Sequence, residues 1–200
     1  RLEAEARSAL AEGVGYARRY NRPETEVEES AWHEYDLRGR TSQLVSLSAT
    51  RWEFTGGAHG NGWSDSLLWD RERQAAVNFS VLFSDWSAAQ SLLRVPVCLA
   101  VDRAQFLHEG GNAADYSPQD DGADPDLPEG CPDVERVTLV PTGAPDQPFD
   151  RLLIRYTSGV YIEGITDAEI PVTDALIALL RPEWRQSFRA RPVDAPAPPA

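Results

Sequence analysis

LVSLSATRWEFTGGAHGNGWSDSLLWD, residues 44 to 70, decides how the chain is read. Val45, Leu47 and Ala49 alternate with Ser46 and Ser48, the period of two expected of a half-buried strand that runs to Phe54. Four glycines then fall within seven residues, Gly56 to Gly62, with His59 among them. Beyond them a strand pattern resumes and reaches Leu67, Leu68 and Trp69. A phosphate cradle would need this turn to feed a helix N-terminus, usually with a lysine. Here strand follows and the chain has no lysine. The glycines are therefore read as supplying positive φ, or close backbone approach, between two strands. The apolar phase slips by one residue between Ala49 and the pair Trp52 and Phe54, which predicts a bulge or a strong twist near Thr50.

Upstream, Ala31, His33, Tyr35 and Leu37 share one face of a strand and Glu34 and Asp36 the other, with Arg38-Gly39-Arg40 read as the turn. Downstream, Asp70 to Gln74 turns and Ala75 to Phe79 returns, which completes an antiparallel meander. Leu2, Ala6, Leu10 and Val14 predict a helix over 1–20, stopped by Asn21-Arg22-Pro23. Trp86, Ala89, Leu93, Val97, Ala100 or Val101, and Ala104 predict a helix over 85–107, kinked or restarted at Pro96. Strands are expected at 135–140, 150–157 and 160–171. A final helix over 174–188 has Thr173 as N-cap and Pro182 as its divider. Strands grouped apart from helices give an α+β class, one domain with room for two lobes. Its expected parts are an N-terminal helix and linker (1–24), the domain (25–188) with an acidic loop (109–133), and a Pro/Ala-rich tail (189–200).

Composition narrows the chemistry. All 19 basic residues are arginine, so no Schiff-base lysine and no phosphate-loop lysine is available. Against them stand 32 acidic residues, a net charge of −13 that disfavours nucleic acid and anionic membrane and favours cationic partners. Mean hydropathy is −0.43 and no apolar run approaches membrane-spanning length. The chain opens on Arg1, so a signal peptide or anchor segment in a longer precursor is expected to have been removed, and contact with a membrane is expected only through such an anchor. Cys98 and Cys131 are too few for a structural zinc site. Their even number suits one disulfide if the compartment is oxidising.

The three histidines, His33, His59 and His108, match no metal-ligand spacing, and no HExxH or GxSxG occurs. His33 reads as a packed, hydrogen-bonded histidine, and His108 as a charge at a helix C-terminus. His59 reads first as a hydrogen-bonding anchor for its loop, then as a ligand contact. Catalysis with Ser64, Asp65 or Asp70 is the third reading. The acidic stretch beginning at Asp115 lacks EF-hand spacing and reads as a solvated loop. No metal and no cofactor is expected.

The element Thr55 to Gly60, TGGAHG after an aromatic-rich strand, resembles the signature of an extracytoplasmic bacterial domain family of unknown function. That domain forms the outer region of the lysozyme-binding anti-sigma factor RsiV and accompanies the catalytic domain of the peptidoglycan deacetylase PdaC. LLIRYTSGVYIEGITDAEIPV, residues 152–172, is similar to the family's late strand pair, with Tyr161, Glu163 and Gly164 at its aromatic-x-Glu-Gly step. The resemblance covers roughly 25–188 and implies an α+β domain outside the cytoplasm, often tethered by a lipid or a transmembrane helix. It does not imply an enzyme. The expectation is a non-catalytic cell-envelope module that binds or senses a cationic, lysozyme-like protein or a peptidoglycan fragment. The rival is an envelope hydrolase or deacetylase-like enzyme that uses His59 with nearby carboxylates. Candidate ligand contacts are Thr55, Gly56, Gly57, His59, Gly60, Asn61, Trp63, Tyr161 and Glu163. In the implied compartment a Cys98–Cys131 disulfide is favoured over two free thiols.

If Gly57 occupies a conformation unfavourable to a residue with a Cβ, Gly57→Val lowers stability by about 1–3 kcal/mol, the range for backbone strain. Thermal melting checks it, and an unchanged midpoint would assign the glycine to ligand approach instead.

Overall fold

The computed structural model describes residues 30–54, 60–117, 131–157 and 165–192. The helix expected over 1–20, residues 118–130 of the acidic loop, and the tail from 193 lie outside these. Four strands form the first sheet as a meander in the order β1-β2-β3-β4: β1 (Ser30–Arg40), β2 (Leu44–Phe54), β3 (Asn61–Asp70) and β4 (Ala75–Val77). A 3-10 turn, Phe79–Leu82, leads into helix α1 (Trp86–His108). The second sheet is antiparallel in the order β5-β6-β7: β5 (Thr138–Thr142), β6 (Arg151–Thr157) and β7 (Ile165–Pro171). Helix α2 (Asp174–Leu179) and a 3-10 segment (Pro182–Ser187) follow. Two antiparallel sheets with helices set apart from them make the α+β class expected from the pattern.

The first sheet corrects three local expectations. Arg38, Gly39 and Arg40 stay in β1, and the chain reverses instead through Thr41 to Gln43. There the Thr41 hydroxyl accepts from Leu44 N (2.9 Å) and Thr41 N donates to Leu44 O (2.8 Å). The register slips between Leu37 and Gly39, while pairing runs unbroken through Thr50 on both sides. The irregularity sits where the second sheet presses in. A Cβ on Gly39 would lie 3.0 Å from the Phe149 ring and 3.1 Å from Gly143 backbone, and Gly143 N donates to Arg38 O at 3.1 Å. The more buried face over the first half of β2 is also the opposite one, although Ala49 on the expected side is buried as well. Leu44, Ser46 and Ser48 are fully buried, while Val45 and Leu47 are half-buried. Small hydroxyls let β5 approach the sheet closely, where Thr138 Oγ1 meets Ser64 Oγ at 3.3 Å. The apolar phase therefore changes face along a regular strand, with no bulge required.

α1 is one continuous helix through Pro96, which is exposed, so the carbonyl left unbonded one turn earlier is open to water. Asp85 caps it by accepting from Ala88 N at 3.0 Å. Ala89, Leu93, Val97 and Val101 recur every fourth residue and bury against the second sheet, where they meet Leu139, Leu152, Ile154 and Ile170. Residues 134–136 form a 3-10 turn instead of strand, and β5 begins at Thr138. Thr173 caps α2 as read, accepting from Leu176 N at 3.2 Å. Leu180 is already extended, so the expected helix over 174–188 divides one step before Pro182. From the first sheet Leu44 and Leu68, both at its β4 end, join the buried core cluster, and Val77 of β4 packs against it.

The Cys98–Cys131 disulfide is formed, with Cα atoms 5.0 Å apart. It joins the buried side of α1 to the end of the acidic stretch. A bond across a sequence separation of 33 contributes about 3.5–4 kcal/mol in the chain-entropy model.

Asp70 closes β3 with its side chain wholly buried. Burial pushes its carboxyl up, but the Arg73 N–H, the Arg73 guanidinium (2.6 Å) and the Glu72 N–H together outweigh burial and hold it below the ordinary carboxylate range. A carboxylate depressed in the folded state stabilises fully above its unfolded value and loses that contribution as pH falls through its folded value. Asp70→Asn is expected to cost about 1–3 kcal/mol near neutral pH. The gap to the parent should shrink on acidification toward about pH 3, read from urea unfolding along the pH series.

Candidate functional site

Of the candidate ligand contacts singled out in the sequence, three are described, and they lie at the end of the first sheet farthest from β4. Thr55, Gly56, Gly57 and His59, together with Tyr161 and Glu163, lie outside the described residues. Gly60, Asn61 and Trp63 are placed where the chain enters β3. Antiparallel register sets the rungs. His33, Arg51 and Trp63 stand side by side on one face, and Trp32, Trp52 and Gly62 on the other.

Arg51 organises the first rung. Its guanidinium lies 5.2 Å from the centre of the Trp63 ring, its Nε donates to His33 Nε2 at 3.2 Å, and Nη1 approaches Asp65 at 3.9 Å. Arginine suits this position because a planar, weakly hydrated fork can stack and bond at once. His33 is thereby a half-buried hydrogen-bond acceptor, in line with the packed role read for it, and its ring lies edge-on to Tyr35 at 6.5 Å. On the opposite face Trp52 stacks on Phe54 at 6.3 Å with planes 13° apart. A Cβ on Gly60 would sit 2.5 Å from that indole, so here the glycine makes room for an aromatic ring. Close approach, one of the two reasons given for the glycines, holds at this position.

The sequence pattern did not single out the edge itself. Among the described residues β1 is the terminal strand of its sheet, and Trp32, Tyr35 and Leu37 are 40%, 50% and 56% exposed. The period of two was legible and placed Tyr35 and Leu37 on the apolar face with His33, but it carried no sign that this face would lie exposed at an edge. Glu34 and Asp36 are exposed on the same strand. Its basic end is occupied: Arg38 pairs with Asp36 (3.0 Å) and donates to Ser48 Oγ (2.8 Å), and Arg40 grips Asp146 through two bonds of 2.9 and 3.0 Å. Arg40 draws the Asp146 carboxyl below its ordinary range, first through those hydrogen bonds and then through its charge. Among the described residues no group of three or more His, Cys, Asp and Glu is placed to hold a metal ion, and no helix is long and apolar enough to cross a membrane. His108 ends α1, as read for it, and is exposed there.

No protein-family model matches the chain, and no curated protein matches it significantly. Among solved structures it is similar to the crystal structure of a DUF3298 family protein from Pseudomonas aeruginosa. That match has 16% identity and a TM-score of 0.49, and covers 88% of this chain and 71% of the other. The resemblance drawn from TGGAHG stays a reading of the sequence.

Arg51→Ala removes the stack on Trp63, the bond to His33 and the approach to Asp65 together. It is expected to cost about 1–2 kcal/mol. Denaturant unfolding measures the loss, and a red shift in tryptophan emission reports release of Trp63.

Proposed function

We propose that the protein is a binding module of the cell envelope, acting outside the cytoplasm, and that its partner is a basic protein docked along β1. The observation that carries this reading is the exposure of Trp32, Tyr35 and Leu37 on an edge strand. Large apolar side chains grouped at a surface are what interaction sites present, and an edge strand offers backbone hydrogen bonds to an added strand. The net charge of −13, with Glu34 exposed on the strand itself, favours a cationic partner. An arginine-rich, lysozyme-like protein is the form the family resemblance suggests. A protein fits this edge better than a glycan, because Trp32 lies on one face of the extended strand and Tyr35 and Leu37 on the other, so the three do not line one concave platform. The Cys98–Cys131 disulfide accords with an oxidising compartment.

The association rate of lysozyme, measured at about 20 mM and about 150 mM salt, tests the reading, since screening lengths differ severalfold between them. A rate that falls at least about tenfold, together with clear loss of affinity in a Tyr35→Ser, Leu37→Ser double variant, is the expected result. Binding indifferent to both salt and the edge substitutions would overturn it.

A further inference from the structure

β3 outlasts its neighbour. β4 pairs only with Leu68 to Asp70, so the outer edge of β3 before that point has no strand beside it among the described residues. There a cleft of about 320 Å³ opens between β3, the 3-10 turn after β4, the first turn of α1, and the segment leading into β5. Trp86, the first residue of α1, forms one wall. Its ring is fixed by Phe79 (centroids 6.0 Å, planes at 89°) and Phe83 (5.4 Å, 43°), and it stays only half-buried.

The polar groups around this ring are oriented by bonds made behind them. Asn78 spends its carbonyl oxygen on Ser80 N and Ser80 Oγ, both at 3.2 Å, which leaves its NH2 with no partner among the described residues. Glu135 spends Oε1 on Gln90 Nε2 at 2.8 Å and keeps Oε2. Asp65 takes Ser66 N on Oδ1 at 2.8 Å, and the Ser66 hydroxyl makes no bond among the described residues. The groups still available are therefore donors and acceptors in mixture, beside a fixed aromatic ring. No basic side chain lines the cleft, and although Asp65 has Arg51 at 3.9 Å, an anion would still meet the Glu135 carboxylate with no cation of the lining to offset it. An organic cation would suit the carboxylates but leave the Asn78 NH2 without an acceptor. A neutral ring carrying hydroxyls answers both kinds of group and can lie on an indole face. The volume sits at the lower end of the range for ligand pockets, about 300–1,000 Å³.

From this geometry we infer a second binding site, separate from the β1 edge, that takes one neutral sugar ring stacked on Trp86, with Asn78 donating to its hydroxyls and Glu135 accepting from them. Titration of the protein with glucose, galactose and N-acetylglucosamine, followed by the indole N–H resonances, tests it. At least one sugar is expected to shift the Trp86 resonance saturably, with a Kd on the order of 1 mM. Asn78→Asp retains the oxygen that caps the turn and removes the NH2, so it should weaken that sugar about tenfold at unchanged melting temperature. Trp86→Phe keeps an aromatic ring in the cluster but removes the reporting indole, so its affinity is read by calorimetry, where it should be weaker by a similar factor. Absence of saturation with all three sugars overturns the inference, as does binding indifferent to both substitutions. Saturable binding of inorganic phosphate or arginine amide at Trp86 in their place would overturn the ligand class. None of these substitutions touches β1, so lysozyme association is expected to be unchanged in them, and the two readings fail separately.

Discussion

The two sheets meet at the guanidinium of Arg155. Its side chain leaves β6 in the second sheet, pairs with Asp167 of β7 through Nε at 2.9 Å, and reaches across to β2. There Nη1 donates to Ala49 O at 3.1 Å and Thr50 Oγ1 at 3.0 Å. A buried arginine is tolerable only when its donors are satisfied in good geometry. Here one side chain satisfies a carboxylate in its own sheet and two oxygens in the other, which sets how the sheets are placed. Everything at the contact is arranged to let it happen. Ser46 and Ser48 are small enough to be covered completely, Gly39 leaves room for Phe149, and Thr138 shares a hydrogen bond with Ser64.

That contact divides the first sheet into two ends with different work. The end near β4 joins the core through Leu44 and Leu68, and is closed by the buried Asp70. A second polar knot ties it to the C-terminal segment, where Ser187 Oγ meets Thr41 Oγ1 at 3.2 Å and Gln43 Oε1 at 3.3 Å. The other end contributes nothing to the core cluster. It is held together by cross-strand contacts of Arg51, stacked on Trp63 and bonded to His33, while Trp52 stacks on Phe54 along β2. Strand pairs of this kind are the unit of sheet stability where no core stands behind them. A sheet end built that way can leave Trp32 and Tyr35 at the surface without weakening the core.

Both proposed surfaces follow from strands of unequal reach. β1 is terminal and long, so its outer edge and alternate side chains face outward. β4 is short, so β3 is uncovered along most of its length, and the start of α1 closes over the gap as a cleft. Side chains already occupy some of the backbone there: Thr138 Oγ1 donates to Ser64 O at 3.4 Å, and Asp65 accepts from Ser66 N. That covering blunts the β3 edge against adding a strand and leaves a recess suited to a small polar molecule.

The sequence by itself determined the period of nearly every described element, because alternation and 3.6-residue recurrence are local properties. It also marked the caps at Thr173 and the break before Pro182, the α+β grouping, and two cysteines free to pair. What it could not decide was which face of a strand would be buried. Val45 and Leu47 look like the inward side of β2, yet Ser46 and Ser48 took that place, because the neighbouring sheet came close enough to require small side chains. The same long-range fact put the register slip at Gly39, where Phe149 presses, and left Thr50 regular. It also joined Trp86, Asn78, Ser66 and Glu135, which lie far apart in the chain, around one cleft. Periodicity follows from the backbone and its own side chains. Burial depends on what packs against them, and only the tertiary structure supplies that.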